Sequence, residues 1–194
     1  MAPPANKITG SSKPLRGSSR QTGLTLIELM VVVAVSAILI AVAAPNLTDM
    51  ATSAKLNSIS DRWMAAANLA RSEAIKRNRL VTLCASTDGS TCATAGGAQV
   101  WASGWLIGHT VAGTWTVIEQ EAALASGYRL EVASGGTPIY SVVFQPTGVD
   151  STTATAMVCR SKPSGNLQQR TIDLSITGRT QLSKAPRTTA CPTS

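Results

Sequence analysis

The hydrophobic pattern of the chain changes twice and divides it into three parts. Residues 1–22 are polar and rich in Ser, Pro, Gly, Lys and Arg, a composition typical of disordered segments. From Leu24 to Ala44 there are 21 residues with a single charge, Glu28. That length suits a membrane-spanning helix, which needs about 20 apolar residues. We therefore predict an apolar helix that begins near Leu24.

The second change lies beyond Pro45, where the apolar residues become spaced as on one face of a helix. From Leu47 to Ala74 they recur mostly at intervals of three or four residues, and polar residues fill the opposite side. A helix of this kind buries its apolar face against a domain. We predict one helix over about 24–79, apolar all round in its first half and amphipathic in its second.

From Leu80 onward the pattern is that of short strands. Eight apolar runs alternate with clusters of Gly, Ser, Thr and Asp, which predicts an antiparallel sheet and an α+β fold. We expect Trp101, Trp105 and Trp115 to pack between sheet and helix. The runs cover 80–85, 99–108, 114–121, 128–133, 139–146, 155–160, 170–177 and 179–184.

Charge bears on which part of the chain is exported. The 194 residues carry 17 basic and 10 acidic side chains, a net charge of +7. Four of the basic residues lie within 1–23, so 13 remain against 10 acidic residues. Positive residues before an apolar span keep that end in the cytoplasm. We therefore expect the part that follows the span to be exported.

Four cysteines, Cys84, Cys92, Cys159 and Cys191, favour disulfides in an exported domain. A metal site is the rival interpretation, but the chain has no Cys-x-x-Cys pair and one histidine, His109, which we place in a solvated loop. Four cysteines allow three connectivities. We favour Cys84–Cys92 and Cys159–Cys191 because each pair closes a local loop.

No set of residues has the spacing of a catalytic site. The sequence contains no nucleophile elbow, phosphate-binding loop or metal motif. Its ten acidic residues are scattered rather than paired. We expect a protein that is not an enzyme and that uses no cofactor and no metal.

The junction of Gly23 and Leu24 resembles the processing site of type IV pilins, with a basic leader that ends in glycine and a glutamate, Glu28, five residues beyond the cut. The resemblance implies cleavage after Gly23 by a prepilin peptidase and N-methylation of Leu24. It also implies a helix that first lies in the bacterial inner membrane and later in the core of a filament. Leu24 stands where phenylalanine is most usual.

Later motifs are similar to those of the FimT/GspH group of minor pilins and pseudopilins. The resemblance implies a type IV pilin-like fold, in which a long N-terminal helix packs on an antiparallel sheet. It divides the chain into a cleaved leader at 1–23, a transmembrane or filament-core segment at 24–45 and a periplasmic globular domain at 46–194. The motifs are Val81-Thr82-Leu83-Cys84, Asp88-Gly89, Cys92, Gly104-Trp105, Phe144-Gln145-Pro146-Thr147-Gly148 and Ile172-Asp173-Leu174-Ser175-Ile176-Thr177-Gly178-Arg179.

The resemblance also implies a role for Glu28 in assembly. In the family, the fifth-position glutamate is thought to attract the terminal amine of a neighbouring subunit, and a charge pair in apolar surroundings favours the partnered state over either charge alone. The expected partners are other minor pilins or pseudopilins, the major pilin, the prepilin peptidase and the inner membrane. The expected function is a minor pilin that takes part in initiating pilus assembly. A GspH-like pseudopilin of type II secretion is the alternative.

A further hypothesis is DNA binding for uptake. Residues 80–150 carry a net charge of −4 and residues 151–194 carry +5, and contacts to phosphates supply most nonspecific affinity for DNA. Some FimT-like pilins take part in DNA uptake through a Gly-Arg-x-Arg motif, whose second arginine is replaced here by Gln181. The other interpretation is a solvated edge strand protected by its charges. The candidate DNA contacts are Arg160, Lys162, Arg170, Arg179 and Lys184.

Overall fold

The computed structural model describes residues 23, 25–97, 99–148, 152–161, 168–186 and 191, with 42–46, 185 and 186 described by their backbone alone. The chain divides into two compact units, Met1–Ala43 and Ala44–Ser194. One helix, α1, spans Leu26–Arg77 and so contributes to both units. Its ends lie within two residues of the predicted ones. The leader at 1–22 and Leu24 lie outside the described residues.

In the first unit, α1 exposes apolar side chains on every face. Eleven large apolar side chains between Leu26 and Ile40 are 51% to 77% exposed. They therefore have no packing partner within the described part of their own unit. In the part of the chain that the structure describes, no helix offers a stretch both long and apolar enough to cross a membrane. The predicted span at 24–45 includes Leu24 and the side chains of 42–45, which lie outside that part.

In the second unit, α1 buries one face in the core. The fully buried positions recur at helical spacing, and from residue 67 onward they are all alanine. The helix ends at Arg77, because Asn78 takes a left-handed conformation with φ 51°, which asparagine tolerates. The buried residues are Leu56, Ile59, Trp63, Ala67, Ala70 and Ala74.

Nine strands in the described residues form two antiparallel sheets that share this core with α1. Sheet A has the order β3-β2-β1-β6, and sheet B has the order β5-β4-β7-β8-β9. This arrangement confirms the predicted α+β fold. The strands are β1 Val81–Ala85, β2 Trp105–Val111, β3 Thr114–Glu121, β4 Tyr128–Ser134, β5 Thr137–Pro138, β6 Ser141–Phe144, β7 Ala154–Arg160, β8 Gln168–Leu174 and β9 Thr180–Pro186.

Two of the three expected tryptophans lie in the core. Trp101 meets Trp63 edge to face, with 6.5 Å between ring centroids, and Trp105 is also buried. Trp115 is half-buried and lies against β2 instead, where a Cβ on Gly108 would come within 2.4 Å of its ring. The prediction is therefore confirmed for Trp101 and Trp105 and wrong for Trp115, which covers a glycine of the neighbouring strand.

Two further local predictions are wrong. The run at 99–108 is not one strand, since Val100–Ser103 forms a 3-10 helix before β2 begins. His109 is 6% exposed within β2 rather than in a solvated loop. The turn lies further along the chain, at Ala112 and Gly113, whose φ angles are 48° and 82°.

Candidate functional site

The first turn of α1 presents Glu28 as an exposed side chain. Thr25 caps the helix: its Oγ1 accepts a hydrogen bond from the backbone N–H of Glu28 (3.2 Å), and its carbonyl accepts one from the N–H of Leu29 (3.2 Å). Thr-x-x-Glu is the sequence of a capping box, a signal that the hydrophobic pattern does not reveal. Glu28 also lies where the helix dipole favours a negative charge.

This turn combines one carboxylate with an apolar surface that needs covering. Leu26, Ile27 and Leu29 around Glu28 are all more than half exposed. A carboxylate that enters apolar surroundings with such a helix is costly unless a cation accompanies it. Gly23 is exposed just before the turn, whereas Leu24 lies outside the described residues.

Both disulfides join the cysteines in the favoured pairing. Cys84–Cys92 spans 8 residues and Cys159–Cys191 spans 32. Cys84 lies opposite Leu106 in the register of sheet A, and both are fully buried. The first disulfide therefore holds the loop after β1 over the outer face of that sheet. The second ties Cys191 to the end of β7.

Asp88 organises the loop that the first disulfide closes. Its carboxylate accepts hydrogen bonds from the N–H groups of Thr91 and Ser90 (2.8 Å each) and from the hydroxyls of Thr91 (2.7 Å) and Ser86 (3.0 Å). The hydrogen bonds from Thr91 and Ser90 hold the pKa of Asp88 far below its ordinary value, because they stabilise the charged form. The Asp88-Gly89 motif is thus a structural turn.

The motifs at 144–148 and 172–179 both contact Arg71 of α1 through their glycines, Gly148 and Gly178. Arg71 Nε donates a hydrogen bond to the carbonyl of Gly148 (2.9 Å). A Cβ on Gly178 would lie 2.8 Å from Arg71 Cδ and 3.1 Å from the Gly148 carbonyl oxygen. The glycines of both motifs therefore allow two turns to close on one arginine. The sequence offered no signal for this contact, since Arg71 reads as an ordinary polar residue of the amphipathic helix.

The structure separates the candidate DNA contacts into two groups. Arg179 immediately precedes β9, whereas Arg160, Arg170 and Lys184 lie at the other end of sheet B, with Arg170 opposite Lys184 in the register. Five residues of extended chain place Arg179 about 16 Å from Lys184. Lys162 lies outside the described residues.

Two of these arginines are engaged by protein groups. Arg170 is 6% exposed; its Nη2 donates to Ser53 Oγ and its Nε to Asn57 Oδ1, each at 2.7 Å. Burial lowers its pKa, although an arginine stays charged. Arg160 Nη1 donates to Thr52 Oγ1. Both therefore fasten sheet B to α1, and Arg170 has no surface left for a ligand.

Arg179 shares its surroundings with an acidic residue. It lines a cavity of about 590 Å³ together with Asp173, Ser175 and Thr177. Asp173 Oδ1 accepts a hydrogen bond from the Thr155 hydroxyl (3.0 Å). A carboxylate in the lining of the same cavity weakens the attraction of that cavity for a phosphate.

Comparison with known proteins gives two matches along the sequence. Residues 60–178 match the family model described as "Type II transport protein GspH", which covers more than half of the chain. Residues 18–44 match the prokaryotic N-terminal methylation motif. No curated protein matches the chain.

The fold is similar to that of solved pilin structures. One is the type IV minor pilin FimU of Pseudomonas aeruginosa strain PAO1, with 23% identity, a TM-score of 0.51 and coverage of 68% of this chain and 90% of that chain. Another is the minor pseudopilin EpsH from the Type 2 Secretion System of Vibrio cholerae, with 14% identity, a TM-score of 0.49 and coverage of 67% of this chain and 97% of that chain. The first likeness supports the fold.

Proposed function

The chain belongs to the GspH family of type IV pilin-like proteins, and on that basis we propose that it is a minor pilin, a structural subunit that takes part in initiating pilus assembly. The observation that carries the proposal is the first half of α1. Apolar side chains are exposed on every face around one acid, in a segment that matches the N-terminal methylation motif. Such a helix needs lipid or other helices to cover it.

In this proposal the chain has two successive environments. A prepilin peptidase cuts after Gly23, Leu24 is methylated, and the segment at 24–45 lies in the inner membrane with the domain at 46–194 in the periplasm. The helix then leaves the bilayer and packs among the helices of other minor pilins and the major pilin. The two disulfides support export to an oxidising compartment.

Glu28 fixes the register of the incoming subunit. Its carboxylate, placed on the first turn by the Thr25 cap, pairs with the methylated amine of a neighbour's Leu24. Because an unpaired charge is costly in apolar surroundings, the pair favours one axial position over all others. This role in assembly requires no catalytic group, and we propose that the protein is not an enzyme.

Replacing Glu28 by leucine tests the role in assembly. We expect Glu28→Leu to be inserted and cleaved like the wild type, but its amount in sheared filaments to fall at least about tenfold, since an amine left unpaired in apolar surroundings costs about 3–5 kcal/mol. Ser36→Leu is the matched control, because it also removes a polar side chain from the apolar segment and leaves the charge pair intact. Equal incorporation of both variants would contradict the role of Glu28.

The second candidate is a pseudopilin of type II secretion, which the description of the matching family model favours. The two candidates share a fold and differ in the machine that they serve. Deletion of the gene, followed by separate scoring of surface pili and secreted enzymes, distinguishes them. Loss of pili with normal secretion supports the pilus, and the reverse result supports the secretion system.

DNA binding is the third candidate, and the observation that supports it is that Lys184 on β9 and Arg179, which immediately precedes β9, are both exposed. If both contact phosphates, Arg179→Ala/Lys184→Ala should weaken binding to duplex DNA. The slope of log affinity against log salt concentration should fall by the amount expected for about two phosphate contacts. Lys76→Ala/Arg79→Ala removes the same charge at and just beyond the C-terminal end of α1, outside β9 and the turn before it, and is the control for a loss of charge alone. Salt-insensitive binding, or equal loss in both double variants, would count against this function.

A further inference from the structure

One end of sheet B carries a basic residue from each of its four long strands, and we propose that this end docks on anionic phospholipid headgroups while the chain is anchored in the membrane. The inference rests on the proposed membrane anchor. The four residues are Arg129 in β4, Arg160 in β7, Arg170 in β8 and Lys184 in β9, and we call this region the basic end.

The register places the four residues at the same end of the sheet. Arg170 lies opposite Lys184, and Arg160 is on the same face as both, turned toward α1, whereas Arg129 lies opposite Cys159 on the other face. The four positions span three strand spacings, about 14 Å in all. Among the described residues at this end there is no acidic side chain in 128–130, 158–161, 168–171 or 182–184.

The basic end lies where the chain enters the domain. Arg160 contacts Thr52 and Arg170 contacts Ser53, so these two arginines pack against the start of the domain's part of α1. Thr52 follows Ala44, the last residue of the apolar stretch, by eight residues. Eight residues of helix rise about 12 Å.

The part of α1 next to the basic end exposes both a cation and apolar side chains, as helices at a membrane surface do. Lys55 is exposed on α1, and one turn before Thr52 the apolar side chains of Leu47 and Met50 are 64% and 69% exposed. Apolar residues next to cations are typical of segments that lie at a membrane surface. Asp49 is the one acid that α1 carries between 47 and 57, so cations outnumber acids around the entry of the helix.

The distances favour headgroups over other phosphates. A headgroup layer extends about 5–8 Å beyond the hydrocarbon core, and eight helical residues reach about 12 Å at most. If the apolar stretch ends at the hydrocarbon boundary, Thr52 lies within about one Debye length, 8 Å, of the headgroups, where the exposed Lys55 and Lys184 are attracted to an anionic surface. Duplex DNA offers the same phosphate chemistry, but the exposed apolar side chains of Leu47 and Met50 favour a lipid surface. Docking orients the domain before assembly and must be released when the helix leaves the membrane.

Energy transfer in vesicles tests the proposal with the full-length chain. The protein is reconstituted in vesicles that carry a dansyl-labelled headgroup lipid, made either of phosphatidylcholine alone or with about one third phosphatidylglycerol. Transfer from the protein's tryptophans to the dansyl groups reports how close the domain lies to the surface. We expect more transfer in the anionic vesicles, and a return to the phosphatidylcholine value at high salt.

Charge variants locate the contact. Each exposed lysine near an anionic surface contributes about fivefold to the docked population, so we expect Lys55→Gln/Lys184→Gln to lower the docked-to-undocked ratio about 25-fold. Lys76→Gln/Arg79→Gln removes the same charge at and just beyond the C-terminal end of α1 and should keep the wild-type response. Neither pair lies in the core, and unchanged thermal unfolding verifies that both variants are folded.

Four results would overturn the proposal, and the fourth would overturn the membrane anchor as well. The first is equal transfer in neutral and anionic vesicles by a protein that is inserted in both, which leaves the membrane anchor standing and removes the docking. The second is an equal loss of transfer in the two double variants. The third is displacement of the docked domain by duplex DNA at low concentration, with Lys55→Gln/Lys184→Gln abolishing DNA binding, which would make the basic end a nucleic-acid surface. Failure of the chain to insert in either vesicle would overturn the anchor itself, and the docking with it.

Discussion

Arg71 joins two turns that lie 30 residues apart in the sequence, at Gly148 and Gly178. Its guanidinium donates a hydrogen bond to the carbonyl of Gly148, and the aliphatic part of its side chain fills the space that a side chain at Gly178 would need. Arg170 has a comparable role between β8 and α1. At the scale of single residues, the half-buried Arg71 and the buried Arg170 hold the sheets to the helix, while Lys55 and Lys184 are exposed.

Substitution of Gly178 measures how tightly the turn packs on Arg71. Gly178→Ala introduces a Cβ 2.8 Å from Arg71 Cδ at a φ of 71°. Gly113→Ala is the control, since its φ is 82° and nothing lies within 4 Å of the added atom. We expect the control to lose about 1 kcal/mol of unfolding free energy from backbone strain and Gly178→Ala about 1–3 kcal/mol more from overpacking. Chemical denaturation gives both values, and equal losses would contradict the packing.

Asp88 makes the stability of the domain depend on pH. The hydrogen bonds from Thr91 and Ser90 lower its pKa in the folded state, so its contribution is fully present above the unfolded pKa of about 3.9 and is lost as pH falls toward the folded pKa. Asp88→Asn removes this dependence. We expect the stability difference between wild type and Asp88→Asn to shrink as pH falls below about 4. A difference that stays constant from pH 7 to pH 2 would contradict the assignment.

At the scale of elements, the two disulfides stabilise loops of different length. In the chain-entropy model, the 32-residue separation of Cys159 and Cys191 is worth about 3–4 kcal/mol and the 8-residue separation of Cys84 and Cys92 about 2.5 kcal/mol. We therefore expect Cys159→Ala/Cys191→Ala to lose about 1 kcal/mol more unfolding free energy than Cys84→Ala/Cys92→Ala. Denaturation of both variants without reductant measures this, and a larger loss for the shorter loop would contradict it.

The elements themselves could largely be predicted, because their signals are local. Helical spacing from Leu47 to Ala74 gave the packed half of α1, and alternation with turn residues gave most strands. Errors fell where tertiary contacts decide the backbone. Gly104 separates the 3-10 helix from β2. A Cβ at this position would lie 2.6 Å from the carbonyl oxygen of Glu121, so the packing of β3 requires glycine at this boundary. Nothing in the sequence around Trp101 signals that boundary.

At the scale of the whole molecule, the candidate site depended on register, which the sequence does not show. The basic C-terminal segment was evident from composition, but the separation of Arg179 from Lys184 and the burial of Arg170 follow from the pairing of β8 with β9. The basic end likewise follows from the register, which places one cation of each long strand at the same end of sheet B. The N-terminal methylation motif could be predicted because its signature is short and continuous, and residues 18–44 match it.

The central claim is that this chain is processed at its N-terminus and becomes a filament subunit. Mass spectrometry of the N-terminal peptide, taken from sheared pilus or pseudopilus fractions, tests it most directly. The account predicts a chain that begins at Leu24, carries one added methyl group on its amine and co-purifies with the filament. A chain that keeps Gly23 and the residues before it, or that is cleaved but absent from both kinds of filament, would contradict the account.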